Sequence, residues 1–207
     1  MWRRNPTKRT KALQAPNLYH PMNDKSSLTN EYLALIQTPS LPALGPESRA
    51  EAQAATDLLP AIDRFCSEHD ITGLNRELLR SAALLWHDDL DRSHSISQDI
   101  KTADGSFLHG IMHRREPDSS NAKYWFRLVG EHSAYPAIVT RLQNTEHLTG
   151  RNELLEPLLS GEDWDPFAFV DACSRAMQGN QQADTYRGLQ EIQRIEFESL
   201  IDDIIAG

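Results

Sequence analysis

Apolar residues recur along most of the chain at the three- and four-residue spacing that places them on one face of an α-helix. Between Pro46 and about His69, for instance, alanine, leucine, isoleucine and phenylalanine return at this spacing through several turns. No segment combines alternating apolar and polar residues with many β-branched residues, which is the pattern typical of a strand. The pattern therefore predicts an all-α fold, a single-domain bundle of about seven to nine helices.

Prolines, glycines and potential capping residues define where the predicted helices begin and end. Asn75 is suited to cap a long helix, Pro117 and Asp118 separate two later helices, and Gly130 ends the second of these. Residues 46–207 thus form the predicted helical domain, and residues 1–45 precede it as an extended arm with one short helix. We expect helices at about residues 31–37, 46–69, 75–100, 106–116, 118–129, 136–147, 152–159, 166–177 and 184–205.

The predicted arm is rich in proline and strongly basic at its start. Residues 1–46 hold six of the eleven prolines, and residues 1–23 carry five basic residues and no acidic residue. From Arg151 to the end, by contrast, twelve acidic residues stand against four arginines. Two interpretations remain open. The arm lies on the acidic C-terminal half, within one chain or across a homodimer, or it is a solvated, disordered tail.

Composition excludes several classes of protein. The 207 residues include 21 Lys and Arg against 30 Asp and Glu, and this net charge of −9 argues against a nucleic-acid-binding protein. A membrane protein is not expected, because the chain has no run of about 20 apolar residues. Cys66 and Cys173 are too few for a disulfide scaffold. The cytoplasm is the expected compartment, since no apolar segment of a secretory signal follows the basic residues.

Polar residues interrupt the apolar faces of three neighbouring predicted helices. Asp89 and Ser93 lie inside the apolar arc of the helix at residues 75–100, Arg115 lies inside that of the next helix, and Asn121 inside that of the third. A charge that points into a core is costly unless it is paired or bound. We therefore expect Asp89 to contact Arg115, or both to contact one bound species. In the structural alternative, this pair only fixes the packing of two helices.

Histidines and acidic residues follow the other faces of the same helices. The spacing of His109 and His113 places their imidazoles one turn apart, so that one divalent metal ion could reach both. Glu116, one turn further on, would complete three protein ligands and leave a position for water. Surface or hydrogen-bonded histidines are the alternative interpretation. The two polar stripes consist of His87, Asp91, His94 and Gln98 on the first helix, and His109, His113 and Glu116 on the second.

Basic side chains near these histidines suggest an anionic ligand, because guanidinium groups suit carboxylates and phosphates. The leading hypothesis is a pocket between the helices at about 75–100, 105–116 and 118–130 that binds a small polar or anionic molecule. If the protein is an enzyme, His109 or His113 is the expected general base and Asp89 its acidic partner. The predicted ligand-binding residues are His87, Asp91, His94, Arg114, Arg115, Asn121, Lys123 and Arg127.

Three sequence blocks together resemble a family of uncharacterised proteins in bacteria and fungi. The resemblance covers about 50 residues and departs from the family pattern at Leu128 and Ser133, where relatives carry Arg and Pro. It implies a shared site but no assigned activity. The blocks are Trp86-His-Asp-Asp-Leu-Asp-Arg-Ser-His-Ser-Ile-Ser-Gln98, Gly105-Ser-Phe-Leu-His-Gly-Ile-Met-His-Arg-Arg-Glu-Pro-Asp118 and Asn121-Ala-Lys-Tyr-Trp-Phe-Arg127.

A weaker resemblance concerns Ala82-Ala-Leu-Leu-Trp-His-Asp88, which is similar to the His-Asp helix of the HD-type phosphohydrolases. That family needs a further histidine on an earlier helix, and His69 lies only a short distance upstream. A metal-dependent hydrolase that uses the His/Asp cluster is therefore one alternative function. The other is a structural or interaction protein in which the polar residues form an internal network.

We expect deletion of residues 1–23 to leave the fold intact, because the deleted segment carries five positive charges and few apolar residues suited to a core. Circular dichroism and thermal unfolding of the truncated chain test this. A truncated protein without helical structure would show that the arm is an integrated part of the domain.

Overall fold

The computed structural model describes residues 24–179 and 183–207, and this part of the chain is all-α, as the sequence pattern predicts. A 3-10 turn at Glu156–Leu158 leads into two short antiparallel strands, β1 (Leu159–Ser160) and β2 (Asp163–Trp164). The ten α-helices of the described residues are α1 (Asp24–Ile36), α2 (Ala55–Glu68), α3 (Gly73–Trp86), α4 (Leu90–Ser97), α5 (Ala103–Arg115), α6 (Ser119–Val129), α7 (Ala134–Asn144), α8 (Asn152–Leu155), α9 (Pro166–Met177) and α10 (Asp184–Ala206).

The start of the chain is only partly within the described residues. The basic segment 1–23 and the dimer contact proposed for it lie outside them. Helix α1, which the sequence analysis assigns to the arm, contributes Tyr32 and Ile36 to the core, and the Tyr32 hydroxyl donates to the Leu79 carbonyl oxygen at 2.6 Å. No helix in the described ranges is long and apolar enough to cross a bilayer.

The predicted helix at residues 46–69 is wrong in its first third, because α2 begins only at Ala55. Residues 37–54 run mainly as irregular chain across the molecule instead. Leu44 is fully buried there, and its backbone N–H donates to the Tyr186 hydroxyl of α10 at 3.0 Å. Gln193 of α10 donates to the carbonyl oxygen of Pro42 at 3.3 Å. Within residues 46–54, the Arg49 backbone N–H donates to Asp88 and the Gln53 backbone N–H to His87, so tertiary hydrogen bonds replace helical ones there.

The predicted long helix at residues 75–100 is also wrong, because it is two helices, α3 and α4. The break lies at Asp88, whose φ of 64° is in the left-handed region that a continuous helix cannot include. Asp89 follows as the N-cap of α4 and accepts a hydrogen bond from the Arg92 backbone N–H at 3.3 Å. A single helical wheel therefore does not describe the residues after Trp86.

Asp88, and not Asp89, is the buried carboxylate that pairs with Arg115. The Arg115 guanidinium donates to Asp88 Oδ1 at 2.7 Å, and the Arg49 guanidinium donates to Oδ2 at 2.8 Å. Burial alone would raise the pKa of Asp88, but the two guanidiniums outweigh it and hold the pKa below its ordinary value. The predicted Asp89–Arg115 contact is wrong by one residue, since Asp89 pairs with Arg92 at the surface.

Helix α5 lies at the centre of the described fold, with every residue from Gly105 to Arg115 buried. It packs against α3, α4, α6 and α9. Its approach to α6 is close at Gly110, where a Cβ would lie 3.0 Å from the Phe126 ring. One turn further along the helix, the Arg114 guanidinium donates to Glu196 of α10 at 2.6 and 3.0 Å and lies over the Phe169 ring of α9. The position of α5 therefore controls the site described below.

The chain offers a matched pair of substitutions for the buried carboxylate. We expect Asp88→Asn to destabilise the fold by about 3 kcal/mol, because it leaves the buried Arg115 guanidinium and Arg49 without a counter-charge. Asparagine tolerates the left-handed conformation, so backbone strain adds little. Asp89→Asn is the control and should change stability by less than about 0.5 kcal/mol, since asparagine is an equally good N-cap. Urea unfolding of both variants measures the difference, and equal costs would contradict the assignment.

Candidate functional site

Three histidines converge between α4 and α5. The Nε2 atoms of His109 and His113 lie 2.9 Å apart, and the His94 ring from α4 meets both, with ring centroids 4.6 and 5.3 Å away. One nitrogen from each imidazole lies within 4.8 Å of the other two. We call these residues the three-histidine cluster. Its donor atoms are close enough for a single metal ion to contact all three.

Local structure explains why these side chains meet. His109 and His113 are four residues apart, so they lie one above the other on the same face of α5. The Thr102 side chain caps α5 by accepting from the Gly105 backbone N–H at 3.2 Å. Helix α4 is a separate helix that begins after the break at Asp88 and packs against α5. Its direction places His94 beside the two histidines of α5. In the predicted continuous helix, His94 would not have taken this direction.

Hydrogen bonds around His113 decide which of its nitrogens faces the cluster. Nδ1 lies 3.0 Å from Glu116 Oε2, and because an ionised carboxylate only accepts, Nδ1 carries the proton. Nε2 therefore keeps its lone pair and points to His109. The Asn121 side-chain nitrogen lies 3.0 Å from the same Nε2. Glu116, predicted as a direct metal ligand, thus contacts the far side of the His113 ring.

His109 is enclosed more completely than His113. The Trp125 ring of α6 stacks on its imidazole, with centroids 3.8 Å apart and planes 21° from parallel. The Ser97 hydroxyl oxygen lies 3.5 Å from His109 Nδ1. Ser97 and Trp125 thus hold the ring from two sides and leave Nε2 directed at His113. Trp125 thus belongs to this site, whereas the next residue, Phe126, is buried in the core.

Burial keeps the two imidazoles of α5 neutral. Burial first, and then the neighbouring His113, His94 and Lys101, together lower the pKa of His109 to about 3. Burial also lowers the pKa of His113, although the negative charge of Glu116 opposes this. Neutral imidazole is the form that binds metal ions, because the nitrogen lone pair is free.

Other predicted site residues lie elsewhere. His87 is buried at the end of α3, where its Nδ1 accepts from the Gln53 backbone N–H at 3.1 Å. Asp91 is exposed, and with His87, Asp89 and Glu116 it lines a separate cleft of about 480 Å³. The structure therefore brings His94, His109 and His113 together but leaves His87, Asp89 and Asp91 outside the cluster.

The four predicted basic residues contact four different partners. Arg114 pairs with Glu196 and Arg115 with Asp88, both inside the core. Lys123 pairs with Asp171 of α9 at 2.7 Å, and the Arg127 guanidinium lies 6.0 Å from the centre of the Phe167 ring. All three guanidinium nitrogens of Arg115 and the two terminal nitrogens of Arg114 are thus hydrogen-bonded within the protein, whereas Arg114 Nε has no partner among the described residues. Their role toward an anionic ligand stays a prediction.

Sequence reasoning missed Glu196, Asp88 and Ser97. Glu196 had a signal, because it lies four residues after Ile192 and four before Leu200, in the middle of an apolar stripe of α10. No sequence signal indicated that Asp88 is buried, since its burial depends on a helix break that the local pattern does not predict. Ser97 becomes relevant only because α4 takes its own direction.

A second group, Asp104, His132 and Asp203, also brings potential metal-binding atoms together. Here both imidazole nitrogens have protein partners. The Ala134 backbone N–H donates to His132 Nδ1 at 3.1 Å, so Nε2 carries the proton and donates to Asp104 at 3.2 Å. These contacts connect the turn before α7 to α5, and they leave no imidazole lone pair for a metal. The three-histidine cluster is therefore the better candidate.

Known proteins provide no relative from which the function of this cluster can be transferred. The chain matches no family model, no curated protein and no solved structure with which it was compared. What the cluster can do is therefore inferred from its donor atoms and their spacing. Three imidazoles, two of which have a paired or enclosed outer nitrogen, are suited to bind a transition-metal ion.

The pKa of His109 predicts a pH-dependent stability for the metal-free protein. The unfolded chain takes up a proton near pH 6.5, whereas folded His109 stays neutral down to about pH 3, so acid favours the unfolded state. We expect His109 to account for a loss of about 2 kcal/mol between about pH 7.5 and about pH 5. Urea unfolding with a chelator present, at both pH values, measures this.

The control for this measurement is an exposed histidine. His109→Gln should remove most of that pH dependence, whereas His147→Gln, at an exposed position, should preserve it. Identical pH profiles for wild type and His109→Gln would mean that His109 is protonated in the folded protein as readily as in the unfolded chain.

Proposed function

We propose that the protein binds one divalent transition-metal ion through His94, His109 and His113 and uses it for metal-dependent hydrolysis. The observation that carries the proposal is the convergence of three imidazole nitrogens within 4.8 Å of one another. Imidazole donors suit zinc, iron, nickel or copper, whereas magnesium and calcium prefer oxygen. Three protein ligands with a remaining position for water are typical of catalytic zinc sites, whereas structural sites use four.

The spacing of the two α5 histidines supports the proposal. Two nitrogens bound to one tetrahedral ion at about 2.0–2.1 Å lie about 3.3 Å from each other. The His109 and His113 Nε2 atoms are 2.9 Å apart. A small rotation of the two rings that moves these atoms a few tenths of an ångström apart would therefore make room for the ion. At this distance one of the two nitrogens carries a proton that the other accepts, and a bound metal ion would take the place of that proton.

Outer contacts of the ligands support it further. Metal-binding histidines commonly donate their second N–H to a carboxylate, which fixes the ring and strengthens the ligand. Glu116 occupies this position for His113, and Ser97 lies beside the second nitrogen of His109. The predicted metal set of His109, His113 and Glu116 is thus proposed in a changed form. His94 replaces Glu116 as the third ligand, and Glu116 orients His113.

A bound ion would supply the chemistry by lowering the pKa of a coordinated water, which becomes a hydroxide nucleophile near neutral pH. In this proposal His94, His109 and His113 would hold the ion, and neither His109 nor His113 would act as the general base predicted from the sequence, because the nitrogen lone pair of each would be bound to the metal. The Asn121 amide nitrogen, 3.0 Å from His113 Nε2, is a hydrogen-bond donor beside this site. The Trp125 ring excludes water from one side of His109.

The internal-network alternative is favoured for other residues of the same helix. Arg114 and Arg115 are each 1% exposed, and each is paired with a carboxylate of another element. Such pairs hold helices in register without taking part in chemistry. The three-histidine cluster differs, because two of its nitrogens face each other instead of a carboxylate.

Metal analysis of the purified protein tests the proposal. We expect about one zinc or related ion per chain, and saturating Zn²⁺ at about 100 times its Kd should stabilise the metal-free protein by about 2.7 kcal/mol. His94→Ala and His109→Ala should each abolish this stabilisation. His147→Ala, a histidine outside the cluster, is the matched control and should retain it.

Spectroscopy and activity separate binding from catalysis. Co²⁺ bound by three imidazoles and water should give the visible absorption bands of a four-coordinate site, and Glu116→Gln should weaken metal binding about 10- to 100-fold. Hydrolysis of p-nitrophenyl acetate should disappear with a chelator and return with Zn²⁺. Absence of any metal binding would refute the site, whereas binding without hydrolysis would refute the enzymatic part alone.

A further inference from the structure

A pocket of about 330 Å³ lies between the start of α5 and the outer face of α6. Its apolar wall comes from Tyr124, Trp125 and Leu128 of α6. Tyr124 and Leu128 are each 51% exposed, so their side chains are open to a ligand. None of the three clustered histidines lines this pocket. Its volume is at the lower end of the range for small-molecule sites, and a ligand with a single ring is of suitable size.

The polar wall of the pocket consists of the first turn of α5 and the loop before it. Thr102 caps the helix, and its carbonyl oxygen accepts from the Ser106 backbone N–H at 3.0 Å. Gly105 lets the loop pack closely on this turn, because a Cβ there would collide with the Ile100 carbonyl oxygen. These contacts hold Lys101, Thr102 and Ser106 within one helical turn of each other.

The Ser106 hydroxyl is the observation that points to a ligand. Ser106 is 5% exposed and lines the pocket, yet its hydroxyl has no hydrogen-bond partner within the described ranges. Ser95, by comparison, donates to the Asp91 carbonyl oxygen one turn back at 2.8 Å. The unpaired indole nitrogen of Trp164 has no accessible surface, whereas Ser106 Oγ retains some. Since a helical Cα–Cβ bond tilts toward the N-terminus, this hydroxyl is aimed into the pocket at the start of α5.

Further donors lie beside this hydroxyl. The backbone N–H of Ala103, the first residue of α5, has no carbonyl partner in the part of the chain that the structure describes, as expected for the first turn of a helix. Lys101 donates to the Gln98 carbonyl oxygen at 2.7 Å, which leaves its other ammonium protons available. The start of the helix adds its positive partial charge. Such a set of donors suits an anion that has several oxygens.

The charges at the pocket also favour an anion. Among the described residues that line it, Lys101 is the only charged one. The Asp104 carboxylate, also in the first turn of α5, is engaged by the His132 imidazole at 3.2 Å. Asp104 and Ser106 are about 200° apart around the helix, so this carboxylate lies on the opposite side. The positive charge of Lys101 extends to His109, whose pKa it helps to lower.

We propose that this pocket binds a small aromatic phosphate. The phosphoryl oxygens accept from the Lys101 ammonium, the Ala103 backbone N–H and the Ser106 hydroxyl. The ring packs against Trp125 and its exposed apolar neighbours on α6. Three separate donors favour a phosphoryl group, with three terminal oxygens, over a carboxylate with two. The proposal does not rest on the metal site, although Trp125 borders both.

Phenyl phosphate is the probe, titrated into the full chain with a chelator present, so that no metal ion can hold the phosphate. At about pH 7.5 this phosphate is mostly a dianion. We expect saturable shifts of the Ala103 and Ser106 amide resonances in ¹H–¹⁵N spectra, and calorimetry gives the Kd. Inorganic phosphate, which lacks the ring, should bind at least tenfold more weakly.

Matched variants test the two side-chain donors. Ser106→Ala should weaken the binding of phenyl phosphate about tenfold, because a donor to a charged oxygen is lost, and Lys101→Gln should weaken it about tenfold or more. The controls are Ser95→Ala and Arg64→Gln, which remove an exposed hydroxyl and an exposed positive charge outside the pocket and should leave the Kd unchanged. The unfolding temperature of each variant checks that the fold is retained.

The same measurements can overturn the proposal. Saturable binding that neither Ser106→Ala nor Lys101→Gln weakens would do so, as would the absence of any shift at the start of α5. Phenylacetate that binds as tightly as phenyl phosphate would show that the site does not select a phosphoryl group. Tighter binding of phenethylamine would show that the nearby carboxylates of Asp99 and Asp104 dominate, and it would also overturn the proposal.

Discussion

Helix α5 is buried from Gly105 to Arg115, yet four of these residues carry groups that ionise, and each needs a partner inside the protein. The requirement connects α5 to most of its surroundings. Arg114 forms an ion pair with Glu196 of α10, and Arg115 forms one with Asp88 at the break between α3 and α4. His109 and His113 meet His94 of α4. Without these partners the helix could not be buried, so the positions of α4 and α10 follow from its polar residues.

Neighbouring buried side chains of α5 differ in their charge state. The guanidiniums stay charged because each faces a buried carboxylate at hydrogen-bonding distance. The imidazoles stay neutral because burial and mutual repulsion lower the pKa of His109 to about 3. Residues 113 and 114 differ by about 100° around the helix. The face with Arg114 therefore forms ion pairs inside the protein, and the face with His113 presents nitrogen donors that suit a metal ion. Paired charges stabilise the arrangement, and unpaired lone pairs leave capacity for binding.

The break at Asp88 connects the ion pairs with the candidate site. Its carboxylate is held by Arg49 and Arg115, and this holds the residue at a φ of 64°. Helix α4 then starts in a new direction, with Asp89 as its cap, and carries His94 to α5. Asp88, which contacts none of the three clustered histidines, thus determines whether His94 reaches the other two.

Local sequence determined the all-α class and the helices whose ends are marked by caps. Asp118 and Gly130 bound α6, and Asp165 with Pro166 starts α9, because these residues form their hydrogen bonds within a few positions along the chain. The pairing of His109 with His113 also follows from spacing alone. Tertiary structure decided the rest. A one-residue shift from Asp89 to Asp88 rotates a side chain by about 100° around a helix, and no local pattern announces a break that distant arginines stabilise. His94 as third donor and Glu116 as outer partner arise from contacts between elements, which helical periodicity does not encode.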